Sequence, residues 1–236
     1  LQYLEYWGLP YLLQLGLDEN SKKYAKDIFN TIVLKDIIKR YRIRNVDFFE
    51  WLIQFLAQNI GSIFSSLSLS NFLANINIDI NPKVINEYLN YANKALFLHS
   101  VERYDIIWKK LFERKSKHYF TDIGLKHAVY PYTINDIGKS LENLVYSNLI
   151  ANDRKVTTGD IANKEIDFIA EKNGETIYIQ VAYLLSSEET IKREFWSFEQ
   201  IKDNRPKYVI SLDDITGKPI NGVIQMSVWE FLEKYV

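Results

Sequence analysis

Two carboxylates and an amide fall within reach of one another in the segment EIDFIAEKNGETIYIQVAY, residues 165–183. Its two alternating runs are joined by Asn173-Gly174, a pair that favours a type I′ turn because both positions there need positive φ. A two-residue loop sets the register, with Lys172 facing Glu175. Asp167 then falls opposite Gln180, Glu165 opposite Ala182 and Ile169 opposite Tyr178, with opposed Cβ atoms about 4.5–5.5 Å apart. Ile166, Phe168 and Ala170 share the other face with Val181, Ile179 and Ile177, and that face is read as core. A third carboxylate, Glu142, sits at helical spacing with Val145 and Leu149, and an acid beside an apolar stripe is costly unless something polar meets it. Oxygen donors so placed can satisfy one another as a hydrogen-bond cluster, and Gln180 can also offer its carbonyl oxygen to a cation.

Other chemistries find less support. The chain has no cysteine, which removes disulfides, zinc ribbons and thiol nucleophiles together and fits a reducing compartment. Its three histidines, His99, His118 and His127, are spaced in no metal-binding pattern. Lys plus Arg (29) nearly balance Asp plus Glu (30), so charge-driven binding must be local. No apolar run approaches the roughly 20 residues that span a bilayer, and the N-terminus lacks the layout of a signal peptide. A cytoplasmic protein with no membrane partner is expected. The chain opens at Leu1 in a patterned segment, LQYLEYWGLPYLLQLG, which reads as a piece of something longer.

The elements that position these groups follow from periodicity. Residues 21–40 read as a helix capped by Ser21, with Tyr24, Ile28, Ile32 and Lys35 at helical spacing beside Phe29 and Val33. Asp47 and Glu50 make a start resembling a capping box for a helix whose stripe is Phe49, Leu52, Ile53, Leu56 and Ile60, with Gly61 at its stop. A shorter helix is expected around Leu69 to Ile76. Asn81 then caps a third whose first residue is Pro82 and whose apolar face is Ile85, Tyr88, Leu89, Ala92 and Leu96. An extended stretch, FLHSVERY, follows. Three helices and then a hairpin is the order of a winged-helix module, whose third helix can enter a DNA major groove. Lys83, Asn86, Asn90, Asn93 and Lys94 give that helix an amide and ammonium face. Residues 101–120 add a basic stretch that includes Arg103, Lys109 and Lys110. These are the candidate DNA-binding residues.

From residue 137 the expected order is a helix (138–152), the strand KVTTG, the hairpin, a helix (186–203), and the strands KYVISL and GVIQM. This resembles the restriction-endonuclease-like PD-(D/E)XK fold. The resemblance implies carboxylates that hold Mg²⁺ to activate water against a phosphodiester, helped by a lysine. Glu142 matches the helix acid and Asp167 the strand acid, which makes those two the candidate metal ligands. Gln180 and Ala182 stand where the second acid and the lysine belong. Two of four motif positions are therefore lost, Glu165 lies one step along the same face, and nuclease activity is not expected of this degenerate set.

The chain as a whole resembles the C-terminal part of prokaryotic AAA-type ATP-binding proteins. The segments that carry the likeness are YLEYWGLPYLL, VLKDIIKRYRIRN, LAQNIGSIFS, HYFTDIGLKHA, IGKSLENLVYSNL and the hairpin. The resemblance implies an α+β chain in three parts: 1–45 as the helical tail of an ATPase lid, 46–112 as a winged-helix-like module, and 113–236 as the nuclease-like domain in the order αβββαβ. With no GxxxxGK(S/T) loop here, ATP would bind only through an upstream domain, and no cofactor is expected in this chain beyond a candidate Mg²⁺. Candidate partners are that upstream ATPase domain, DNA and a second copy of the chain. The expected role is regulatory, through DNA or a protein partner. One alternative is a metal-dependent endonuclease with a variant site. The other is a purely protein-binding module using Phe195, Trp196, Phe198 and Trp229.

Overall fold

The computed structural model describes residues 2–6, 8–16, 18–162, 164–214 and 219–234. The chain is mixed α+β and divides into two compact units, one of residues 1–100 with 116–136 and the other of residues 101–115 with 137–236. The expected boundary at 45 falls inside the first unit, and the boundary at 112 falls inside the arm that residues 101–115 contribute to the second.

In the first unit, the short helices α1 (Gln2–Tyr6) and α2 (Leu12–Leu15) precede α3 (Glu19–Ile28). Asp18 caps α3, its carboxylate accepting the N–H of Asn20 and Ser21. Ser21, the expected cap, is buried within the helix, where its hydroxyl donates to the Gly16 carbonyl. An aspartate one turn earlier is the better acceptor for the free N–H groups of a helix start. The helix continues as a π-helical stretch, Phe29–Ile37, into α4 (Ile38–Tyr41). The side chains of Ile32 and Val33, placed on its stripe, lie outside the described residues.

Next come α5 (Val46–Gln58), α6 (Ser66–Asn75) and α7 (Pro82–Lys94). Asn45, rather than the Asp47 pair, caps α5, and its side chain accepts the Phe48 N–H at 3.0 Å. Asn81 caps α7 with Pro82 in its first turn, as the spacing predicts. Phe49, Leu52, Ile53, Leu56, Leu73, Ile85 and Ala92 are at most 2% exposed, so these three helices bury one shared core. Each of the leucine, isoleucine and phenylalanine side chains among them stabilises by roughly 1.5–3 kcal/mol. Leu96, expected on this face, is 69% exposed, because the helix has already ended and the chain turns there with φ +55°.

The strands β1 (Leu98–Asp105) and β2 (Lys110–Phe120) run through both units. In the first unit Phe64, between α5 and α6, forms an antiparallel bridge with Ser116 of β2. Helix α8 (Ile123–Val129) closes that unit, with Asp122 as its cap.

The second unit contains α9 (Ile137–Ala151), β3 (Lys155–Ile161), β4 (Lys164–Lys172), β5 (Glu175–Val181), α10 (Glu188–Trp196), β6 (Lys207–Ser211), β7 (Val223–Ser227) and α11 (Val228–Lys234). Among the described residues the strands form one mixed sheet in the order β2-β1-β3-β4-β5-β6-β7. The hairpin β4–β5 is antiparallel, whereas β1 with β3, β5 with β6, and β6 with β7 are parallel. Helices cover both faces. Tyr146 of α9 meets Phe168 with ring centroids 6.0 Å apart, while Phe195 of α10 and Phe198 just beyond it join Ile169, Tyr178 and Val209 in a core cluster. A sheet covered on both sides loses the polar face that a solvated hairpin would show. The expected division into a core face and a polar face is corrected accordingly: Ile169 and Tyr178 are 4% and 2% exposed.

Candidate functional site

The hairpin register is the one the Asn173-Gly174 turn dictates. Lys172 pairs with Glu175, Ile169 with Tyr178 and Phe168 with Ile179, and both turn residues have positive φ. The regular pairing stops at Phe168 and Ile179, one step before the residues of interest. On the other side of β4 the pairing with β3 slips: Thr157 faces Ile169, but Gly159 faces Ile166. One extra residue on β4, in the Asp167-Phe168 stretch, forms a bulge. This brings Ile166 and Ile169 to the same face, where a β-carbon on Gly159 would fall 2.8 Å from Ile166 Cβ and 3.2 Å from Ile169 Cδ1.

Asp167 and Gln180 hold the two strands together where the backbone pairing ends. Gln180 Oε1 accepts the Asp167 backbone N–H at 3.3 Å, and Asp167 Oδ2 accepts the Val181 N–H at 2.9 Å. A bulge leaves a backbone donor without a ladder partner, and an unpaired buried donor costs about 1–3 kcal/mol. The amide oxygen that could meet a cation here meets the backbone. Ala182, at the position of the missing lysine, is 6% exposed, and its N–H donates to the Ile210 carbonyl.

Glu165 faces Asp160 across β3 and β4, and the Asp160 carboxylate pairs with Arg103 of β1. Glu142 is half-buried on α9, between the buried Leu141 and Asn143. Among the described residues no group of three or more histidines, aspartates or glutamates is arranged to hold a metal ion. Mg²⁺ needs near-octahedral oxygen coordination. With Gln180 where the second acid belongs, Ala182 where the lysine belongs and no such cluster among the described residues, the residues present do not fit it.

Gln180 and Glu165 do share an open cleft of about 800 Å³ with Lys164 and the α10 residues Glu188, Lys192 and Trp196. Lys164 Nζ lies 5.7 Å from the centroid of the Trp196 ring. Sequence reasoning missed this cleft, because nothing in the spacing of residues 186–203 says which side of the hairpin the helix covers. That helix is also shorter than expected: after Trp196 the chain turns inward, burying Phe198 and Ile201. Of the four aromatics expected at an interface, Phe195 and Phe198 are core at 7% and 3% exposure, whereas Trp196 and Trp229 are about half exposed at 53% and 47%.

The candidate DNA-binding residues divide in the same way. Lys83, Asn86, Asn90 and Lys94 are all exposed along α7, opposite Ile85, Leu89 and Ala92. Asn86 also accepts a hydrogen bond from the Ser66 hydroxyl of α6 at 2.5 Å. Asn93 points elsewhere, its amide holding the Ser100 N–H and hydroxyl at 2.8 Å each, so it fastens α7 to β1. Lys109 and Lys110 are exposed at the β1–β2 turn. Arg103 is engaged within the unit, in an ion pair with Asp160 and with the Phe112 ring centroid 5.4 Å from its guanidinium.

Fold and site together define a two-unit α+β protein with an exposed polar helix face in one unit and a hydrogen-bonded hairpin in the other. Residues 1–137 match the family described as Domain of unknown function (DUF8612), and the chain belongs to it. It is similar to an uncharacterised protein of Haemophilus influenzae, 30% identical over 98% of this chain and 57% of that protein. It is also similar to an uncharacterised protein of Methanocaldococcus jannaschii, 26% identical over 93% of this chain and 48% of that protein. The chain spans about half the length of each relative. No solved structure matches it.

Proposed function

We propose that this chain is the non-ATPase part of a larger AAA-type ATP-binding protein, and that it binds DNA through a winged-helix-like module while its nuclease-like domain is catalytically silent. The observation that carries the reading is the exposed face of α7, where Lys83, Asn90 and Lys94 project from a helix whose opposite side is core. The order α5, α6, α7, β1, β2, with Phe64 between the first two helices bridged to Ser116 of β2, agrees with a winged helix and supports the same reading. Silence of the second domain is supported by the engagement of Gln180 and Asp167 with backbone N–H groups and by the alanine at position 182. Relatives roughly twice as long leave room for an ATPase domain outside the matched region.

Mobility shift with duplex DNA across a salt series tests the reading. Lys83→Ala with Lys94→Ala should weaken binding for every sequence and flatten the dependence of log affinity on log salt by about two lost phosphate contacts. Affinity no better than that of an acidic control protein would overturn the DNA role.

A further inference from the structure

The turn between β1 and β2 is built to hold an aromatic side chain in solvent. Asp105, 8% exposed, accepts the N–H of Ile107 at 2.9 Å and of Trp108 at 2.8 Å through one carboxylate oxygen. The Ile106 N–H donates to the Asp160 carbonyl of β3 at 2.9 Å, and the Ile106 side chain packs on the core cluster of the second unit. Below the turn, Arg103 is fixed between Asp160 and the Phe112 ring. The tip is therefore tied to the sheet from the inside, yet Ile107 is 54% exposed and Trp108 73%. Lys109 and Lys110 follow directly, both exposed. An indole held out on an anchored turn loses little freedom when it meets a partner, and that is the property of a binding anchor.

We infer that Trp108 is a wedge for an unstacked DNA base, with Lys109 and Lys110 neutralising the phosphates on either side. The inference rests on the DNA-binding reading and names the DNA feature the chain would prefer. Charge decides among occupants: two lysines beside one indole match a base and its flanking phosphates, whereas attachment to an anionic bilayer draws on clusters of about four to eight basic residues. Apolar side chains inserted at a base step unstack it, so a step that is already unpaired is the easier target.

Two duplexes test this, one fully matched and one carrying a single unpaired 2-aminopurine, each titrated with the whole chain. Preference for the unpaired duplex of about tenfold is expected, the scale of one base–aromatic stack, together with quenching of the 2-aminopurine. Trp108→Ala should abolish preference and quenching while leaving matched-duplex affinity and thermal stability unchanged, and Trp108→Phe should restore most of both. Matched-duplex binding without preference, or preference that survives Trp108→Ala, overturns the wedge and leaves the DNA reading standing. Failure to bind either duplex overturns both. A Trp108-dependent blue shift on phosphatidylserine vesicles, with no effect of Trp108→Ala on DNA, would assign the tip to a bilayer.

Discussion

The two units differ in how their interiors handle protons. The first holds all three histidines and the half-buried Asp122. Burial pushes His118 and His127 down to about 4, lowers His99, and raises Asp122 to about 6. Neutral groups meet both ring nitrogens of His118, the Ser100 and Ser116 hydroxyls at 3.0 and 3.2 Å, and the Phe64 ring stands edge-on at 5.0 Å. Asp122 caps α8, but the Gly8 backbone presses on its carboxylate so closely that a β-carbon there would fall 1.3 Å from Oδ2. In the second unit burial raises Tyr146 and Tyr178, and the hydrogen bond with the Tyr178 hydroxyl raises Arg205. The shifts that respond to acid therefore include the first unit's histidines and Asp122, while these second-unit shifts respond to alkali. Buried imidazoles respond below neutrality, while buried phenols respond only well above it.

Acidification should break this comparison most strongly. A histidine with a lowered native pKa is charged more readily in the unfolded chain, so its contribution is present above about 6.5 and is lost as pH falls toward 4. At 1.36 kcal/mol per pKa unit, His118 and His127 each stand to lose about 3 kcal/mol. Asp122 has the opposite sign. Its raised pKa gives stability that is present below its unfolded value and lost as pH rises through 6, so acidification returns about 3 kcal/mol. The net expectation between pH 6.5 and 4 is a loss of about 3 kcal/mol, confined to the first unit. Hydrogen exchange read segment by segment checks it: protection should fall across α5 and α7 while β4 to β6 hold. Equal loss in both units would end the distinction.

Removing the aspartate's charge sharpens the comparison. Asp122→Asn keeps an acceptor for the Leu125 N–H and should stabilise the first unit at pH 7 by up to about 3 kcal/mol. It should also steepen the acid loss, because the compensating carboxylate is gone. Thermal melts of the variant at pH 7 and pH 5 test both signs, and a variant less stable than the parent at pH 7 contradicts the burial cause. In the second unit Gly159→Ala should destabilise by about 1–3 kcal/mol with no pH dependence, since its methyl would fall 2.8 Å from Ile166 Cβ and 3.1 Å from Ile106 Cδ1. Denaturant melts at two pH values would show whether the shift is constant.

Much of the local structure was legible because it depends on neighbours in sequence. Asn173-Gly174 set the hairpin register, Asn81-Pro82 set the start of α7, and the stripes of α5 and α7 placed their cores. What was not legible depends on pairing between distant strands. The slip between β3 and β4 arises where Thr157 and Gly159 meet Ile169 and Ile166, and no alternation within residues 164–172 reports it. The pairing of β1 with β3 was equally hidden, although it removes Arg103 from the exposed basic stretch. The buried histidines were unreadable for the same reason, since desolvation comes from elements far along the chain. Of the candidate site, the opposition of Asp167 and Gln180 was legible, and their commitment to backbone donors was not.

That commitment carries the smallest predicted effect and decides the most about the second unit. If Gln180 completes the ladder, Gln180→Ala should cost about 1 kcal/mol, the worth of one hydrogen bond with its exposed remainder partly hydrated. Gln180→Glu should cost less as regards the Asp167 N–H, because a carboxylate still accepts it, but it sets a second negative charge beside Asp167. Adding Ala182→Lys places an ammonium at a position now 6% exposed. The double variant regains the residue types of a metal-dependent nuclease without freeing Asp167 Oδ2 from the Val181 N–H. Supercoiled plasmid incubated with this variant and millimolar Mg²⁺ or Mn²⁺ should therefore remain intact. Nicking that disappears with chelator would show that only the ligands were missing, and that the hairpin is a nuclease frame held closed by one amide.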